Sequence, residues 1–188
     1  MPQIPTRSLL RPLAILPLIL FALVACDPSQ PPQPPQPAQP PAATLHHDLE
    51  RANELSANRS ELQIQAYMRR KSMDSLQSNG QGLYYRISGQ PIGQQAAEGV
   101  RVAIAYTATL LDDTPCASAD TIAPFEFVLG KRDAPMGLEE VVERMAPGQQ
   151  AIAIIPPHLA YGLMGDRKNI PQNAAIVYRI TWLRYPLQ

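Results

Sequence analysis

Between Pro28 and Pro41 the chain places eight prolines, in the run DPSQPPQPPQPAQPPAA over residues 27–43. No compact fold admits such a run. Proline fixes φ and offers no N–H, so it serves neither a helix interior nor a central strand. Glutamine and alanine between the prolines supply little to bury, and extended polyproline II is the favoured state. At about 3.1 Å per residue the segment reaches roughly 50 Å, which makes it a spacer. A docking peptide for a proline-binding partner is the alternative. The 188-residue chain is thereby cut in two, and whatever folds must do so mainly after the run.

The part before it reads as a secretion signal, residues 1–25. Arg7 and Arg11 give a basic start, and an apolar run extends from Leu13 to Ala25. That run is interrupted by Pro17 and is short of the about 20 residues a membrane span needs. An uncleaved anchor is the alternative. The closing Leu23-Val24-Ala25-Cys26 resembles the bacterial lipobox, a signal whose cysteine is lipidated and becomes the first mature residue. An ordinary signal-peptidase cut nearby is the other reading. The resemblance implies a lipidated Cys26, followed by linker to residue 44, and a lipoprotein of the bacterial cell envelope that faces the periplasm. Asp27 is similar to the inner-membrane retention residue of enteric bacteria. It leans the choice toward the inner membrane and leaves it open.

Residues 45–78 have helical spacing. Leu45, Leu49, Ala52, Leu55, Leu62, Ala66, Met73 and Leu76 recur at intervals near three and four. The stripe is narrow and is broken by Asn58, Arg59 and Arg69, so it lacks the sustained heptads of a coiled coil. An arm packed on the following domain, or a solvated arm, is expected rather than a dimer.

From Leu83 the period becomes two. LYYRIS, VRVAIAYTATLL, FEFVL, QAIAII and AIVYRITWL read as strands, the second with Val100, Val102, Ile104, Tyr106, Ala108 and Leu110 on one face. One helix interrupts them, GLEEVVERM, with Leu138, Val141, Val142 and Met145 on a single apolar stripe. Pro147-Gly148 then forces a turn. The expected fold class is α+β, an antiparallel sheet wrapped around one short α-helix in residues 79–188, preceded by an N-terminal helix.

Chemistry-bearing patterns are sparse. Sixteen basic residues balance sixteen acidic ones, so net charge offers no argument for nucleic acid. The two cysteines, Cys26 and Cys116, make no disulfide framework, and His46, His47 and His158 are too scattered for a metal cluster. No nucleophile elbow or phosphate loop is present: Gly89 and Gly93 lack the strand–helix frame. Asp112-Asp113 reads as a solvated hairpin turn. No cofactor and no metal are expected. What stands out is the concentration of Tyr106, Phe125, Phe127, Tyr161, Ile170 and Tyr178 where strands meet loops.

The blocks VAIAYTATLLDDTPC, PFEFVLGK, GLEEVVERMAPGQ, IPPHLAYGLMG and NIPQNAAIVYRITWL, in that order, resemble the FKBP-type peptidyl-prolyl cis-trans isomerases. The resemblance covers residues 82–185, with a single-residue deletion near 117–123. A secreted lipoprotein with a helix ahead of GLYYRI is similar to the envelope members of that family. The resemblance implies an FKBP-like fold and an apolar pocket for proline. It assigns catalytic positions to Tyr106, Phe127 and Tyr161, whose hydroxyl in the family bonds a ligand carbonyl. It assigns substrate-binding positions to Phe125, Cys116, Ala134, Pro135, Leu138, Ile170 and Tyr178.

Several of these depart from the family pattern. Cys116 replaces a phenylalanine, and Ala117 replaces the acid after it unless Asp120 takes that place. Leu138 replaces the tryptophan of the pocket floor, and Tyr178 replaces a phenylalanine. Pro135 stands where a backbone N–H donates to ligands, and it has none. The resemblance therefore implies weak isomerisation of X–Pro bonds in unfolded or nascent envelope proteins, with poor macrolide binding. A client-binding or chaperone module with little or no isomerase activity is the alternative.

Overall fold

The computed structural model describes residues 42–95 and 97–183. The signal, Cys26, Asp27 and most of the proline run lie outside the described residues. The elements, in order, are α1 (Ala42–Arg70), β1 (Gln77–Ser78), β2 (Tyr84–Ser88), β3 (Arg101–Leu110), β4 (Pro115–Ala119), β5 (Phe125–Val128), α2 (Met136–Glu143), β6 (Gln150–Ile155), a 3₁₀ turn (Pro157–Leu159) and β7 (Ile176–Trp182). The strands form one antiparallel sheet in the order β1-β2-β6-β7-β3-β4, with β5 also pairing β3.

Period-two patterning gives the sheet an inner and an outer face. Val102, Ile104 and Ala108 of β3, Ala151, Ala153 and Ile155 of β6, and Ile176, Tyr178 and Ile180 of β7 turn inward. The stripe of α2 lies against them, with Leu138, Val141, Val142 and Met145 all buried. Gly137 sets how closely α2 approaches. A Cβ there would stand 2.5 Å from Ile155 Cγ2 and 3.2 Å from Leu159 Cβ, so only a hydrogen fits between the helix and β6.

The outer face is covered at one end by α1. Ile64 and Tyr67 are fully buried and pack with Ile154, Ala175 and Val177. The tip of the β3–β4 hairpin reaches the same helix. Asp113, at φ 70°, accepts from Lys71 Nζ at 2.7 Å and from the Tyr67 hydroxyl at 3.4 Å. Lys71 holds the Asp113 carboxyl below the usual range. The turn is thus exposed as expected, yet it is tied to the helix.

The helix differs from the sequence expectation in two ways. It ends at Arg70, where Ser72 takes a left-handed φ of 53°. The chain must reverse to lay β1 on β2, and Met73 and Leu76 fold back against the outer cluster. Moreover, Leu49, Ala52, Leu55, Leu62 and Ala66 face solvent. The packed face carries Ser60, Ile64, Tyr67 and Met68. Burying Ile64 and Tyr67 removes more apolar area from water than burying Leu62 and Ala66 would, and it brings the Tyr67 hydroxyl to Asp113. Residues 46–59 are exposed except for the half-buried Ser56.

Candidate functional site

Inward-facing strand residues and the loops at one end of the sheet bring the expected site residues into one cluster. Register places Phe125 and Phe127 of β5 opposite Ile104 and Val102 of β3. Tyr106 lies two residues further along that face, and Tyr178 of β7 sits opposite Ala108. The Tyr106 ring meets Phe125 edge-on at 5.9 Å and Tyr178 at 5.4 Å, while Phe125 stacks on Phe127 at 5.3 Å. Leu138 rises from the first turn of α2, and Ile170 closes the far side. Leu138, Phe127, Ile170, Tyr178 and Cys116 are 1–5% exposed. Tyr106, Phe125, Ala134 and Tyr161 are half-buried and pack against them, while Pro135, also half-buried, stands outside that packed cluster.

Burial governs the ionisation of this cluster. It raises the Tyr106 hydroxyl and the Cys116 thiol above their ordinary values. Tyr178 is raised far more, first by burial and then by the Tyr161 hydroxyl beside it. The Tyr106 and Tyr178 hydroxyls and the Cys116 thiol are therefore neutral at pH 7. Among the described residues no group of three or more His, Cys, Asp or Glu side chains is placed to hold a metal ion.

Three polar residues that the sequence reading passed over shape the walls. Asp166 Oδ1 accepts the backbone N–H groups of Lys168, Asn169 and Ile170 at 2.9, 3.0 and 2.7 Å. These bonds hold its carboxyl low and fix the turn that delivers Ile170. Asn169 Nδ2 then donates to the Cys116 carbonyl at 3.3 Å, joining that loop to β4. Glu139, 7% exposed, accepts from the N–H of Gly130 at 3.2 Å and of Ala134 at 3.4 Å. The Ala134 N–H is thus spent inside the protein, and Pro135 has none. An aspartate two to four residues ahead of a run of N–H groups was the available signal for the first of these. The Asn169 contact joins segments far apart in sequence and leaves no local pattern, and the Glu139 contacts, nine and five residues back along the chain, follow no turn or cap motif.

The cluster is an apolar, aromatic assembly with the hydroxyls of Tyr106, Tyr161 and Tyr178 among its rings. Nothing in it is built for nucleophilic attack.

Comparison with known proteins agrees with this geometry. The sequence profile of the FKBP-type peptidyl-prolyl cis-trans isomerases matches residues 93–183. FK506-binding protein 2 of Yarrowia lipolytica is 32% identical over 98 residues, which is 52% of this chain and 68% of that protein. Peptidyl-prolyl cis-trans isomerase FKBP1A of Xenopus laevis is 37% identical over 67 residues, 36% of this chain and 62% of the relative. In fold, the chain is similar to FkpA from Escherichia coli, with a TM-score of 0.59, 24% identity, and coverage of 76% of this chain and 66% of that one. It is also similar to a peptidyl-prolyl cis-trans isomerase from Pseudomonas syringae pv. tomato, at TM-score 0.58 and 18% identity, covering 70% and 93%. Sheet, short helix, aromatic cluster and sequence match together place this chain in the family of FKBP-type peptidyl-prolyl cis-trans isomerases.

Proposed function

We propose that the chain isomerises X–Pro peptide bonds of unfolded or nascent proteins in the bacterial envelope, tethered to a membrane through a lipidated Cys26. The observation that carries this reading is the buried cluster of Phe127, Leu138, Ile170 and Tyr178 with half-buried Tyr106 and Tyr161 packed against it.

Rotation about the amide has a barrier of about 18–20 kcal/mol. Water solvates the charge separation of the planar amide, and the twisted amide has less of it. A dry apolar site therefore favours the twisted form, and differential binding of that form is catalysis. The Tyr161 hydroxyl would hold a substrate carbonyl while the proline ring sits against the apolar residues of that cluster. The departures from the family pattern weaken this machinery. A ring exchanged for Leu138 or Cys116 forfeits about 1–2 kcal/mol of contact. A carbonyl left without a donor at Pro135 loses about 1–3 kcal/mol.

The test is a protease-free isomerisation assay on a short X–Pro peptide, with the protein retaining α1. Acceleration that falls in Tyr161→Phe and Phe125→Leu supports the enzyme. A folded protein that gives no acceleration at high concentration sinks it for that substrate.

A second reading, client binding with little turnover, is favoured by specific residues at the mouth. Ile122 is 92% exposed, Met136 57%, and Leu163 and Met164 59% each. Each sits within three residues of Phe125, Pro135 or Tyr161. Delayed aggregation of an unfolded protein, lost when these four side chains become serine, would support that reading.

A further inference from the structure

An open groove of 540 Å³ runs over the outer face of the sheet and reaches Tyr106 at the edge of the aromatic cluster. Strand register fixes its floor. Arg86, Ile152, Arg179 and Thr107 stand side by side across β2, β6, β7 and β3. Ser88, Gln150 and Thr181 form the next row. Helix α1 covers the sheet beyond the other side of the first row and leaves this part open.

Arg86 and Arg179 are both exposed, and among the described residues neither forms an ion pair. One strand separates them, so their Cα atoms are about 10 Å apart. Arg86 gives one N–H to Ser75 Oγ and keeps others free, since a guanidinium carries several donors. The carboxylate at the groove's end, Asp120, is turned to the N–H groups of Ile122 and Ala123 at 2.8 and 2.7 Å. Two guanidinium groups against the one carboxylate of Asp120 give the groove a net positive charge in a chain whose net charge is zero.

We propose that the groove binds a soluble phosphorylated sugar or polyol. Guanidinium groups take phosphate oxygens in paired hydrogen bonds, and the hydroxyls and amide of Ser88, Thr107, Thr181 and Gln150 match the alcohols between. A lipid headgroup in a bilayer fits less well. Of the exposed large hydrophobic residues, only Ile122 adjoins the groove, next to its lining residue Thr121, and a single side chain is a small anchor for a membrane.

The probe is inositol hexakisphosphate, titrated into the full chain and followed by backbone amide shifts. Saturable binding is expected, with the largest shifts at Arg86, Thr107, Gln150, Arg179 and Thr181. The double change Arg86→Ala with Arg179→Ala is expected to weaken it at least about tenfold, and Arg→Lys at both sites to restore part of it. Both side chains are exposed, so the melting temperature should hold, and the lysine pair supplies the reading if the alanine pair melts early. Shifts centred on Lys131 or Lys168, an equal response to unphosphorylated inositol, or unchanged affinity in the folded double variant would overturn the site. Binding of inorganic phosphate as tight as the probe, or arginine-dependent binding that prefers anionic phospholipid vesicles, would overturn the choice of ligand.

Discussion

Pro135 lies at the N-cap of α2 with φ −54° and ψ 138°, a backbone conformation that alanine adopts without strain. Pro135→Ala therefore adds an N–H to a wall whose neighbouring donor, on Ala134, is already committed to Glu139. If that donor reaches a substrate carbonyl, about 1 kcal/mol of hydrogen bonding corresponds to a rise in kcat/KM of about fivefold. Steady-state isomerisation of an X–Pro peptide measures it. Tyr161→Phe should act in the other direction by a similar factor, about fivefold, with an unchanged melting temperature. Cys116 makes a chemical prediction. Its thiol is buried, and burial raises its pKa, so thiolate is scarce at neutral pH. Reaction with a thiol reagent should be slow in the native protein and become fast in denaturant. At this scale the sequence was informative about where rings gather, because β-strand alternation and the loop blocks place them. It was silent on which backbone donors remain available, since the Glu139 contacts to Gly130 and Ala134 are made only after β5 and α2 have packed.

Among the connecting segments, the loop from Asp166 to Ile170 is the clearest case of one side chain shaping a wall. Its folded-state carboxyl is held below its ordinary value, chiefly by the Ile170 N–H. A depressed value means that the contribution to stability is present above the unfolded carboxylate's pKa and disappears as pH falls through the lower, folded one. Amide exchange at Lys168, Asn169 and Ile170 should thus be insensitive to pH near neutrality and lose protection in strong acid. Asp166→Asn keeps an oxygen acceptor and should retain the turn. Asp166→Ala should release Ile170 and lower isomerase activity more than it lowers the melting temperature. The helix α1 shows the limit of pattern reading at the same scale. Its apolar residues populate more than one face, and spacing favoured Leu55, Leu62 and Ala66. The sheet selected Ile64 and Tyr67, which offer more area and a hydroxyl that reaches Asp113. A helical wheel contains no information about the surface on which it will land.

For the whole molecule, β2, β3, β5, β6, β7 and α2 were legible because alternation and a single 3.6-residue stripe each admit one layered arrangement, whereas the two-residue β1 and the proline-started β4, small and polar in composition, carry no such alternation. That α1 would pack on the following domain was legible, but the face it uses was not, because that depends on the outer face of a sheet whose order mixes early and late strands. Ile64→Ala should cost about 2–5 kcal/mol in urea unfolding, as a fully buried side chain replaced by a cavity. A protein of residues 79–188 should unfold more readily than one that keeps α1, with Ile154 and Val177 newly exposed to water. The sheet is a partition a single residue thick. Val177 belongs to the arm's footing and Tyr178 to the aromatic site, just as Ile154 and Ile155 face opposite ways on β6. Heritable change cannot treat those surfaces as separate properties. A lineage that altered its arm would shift the backbone under its pocket, and one that remodelled its pocket would have to renegotiate the arm.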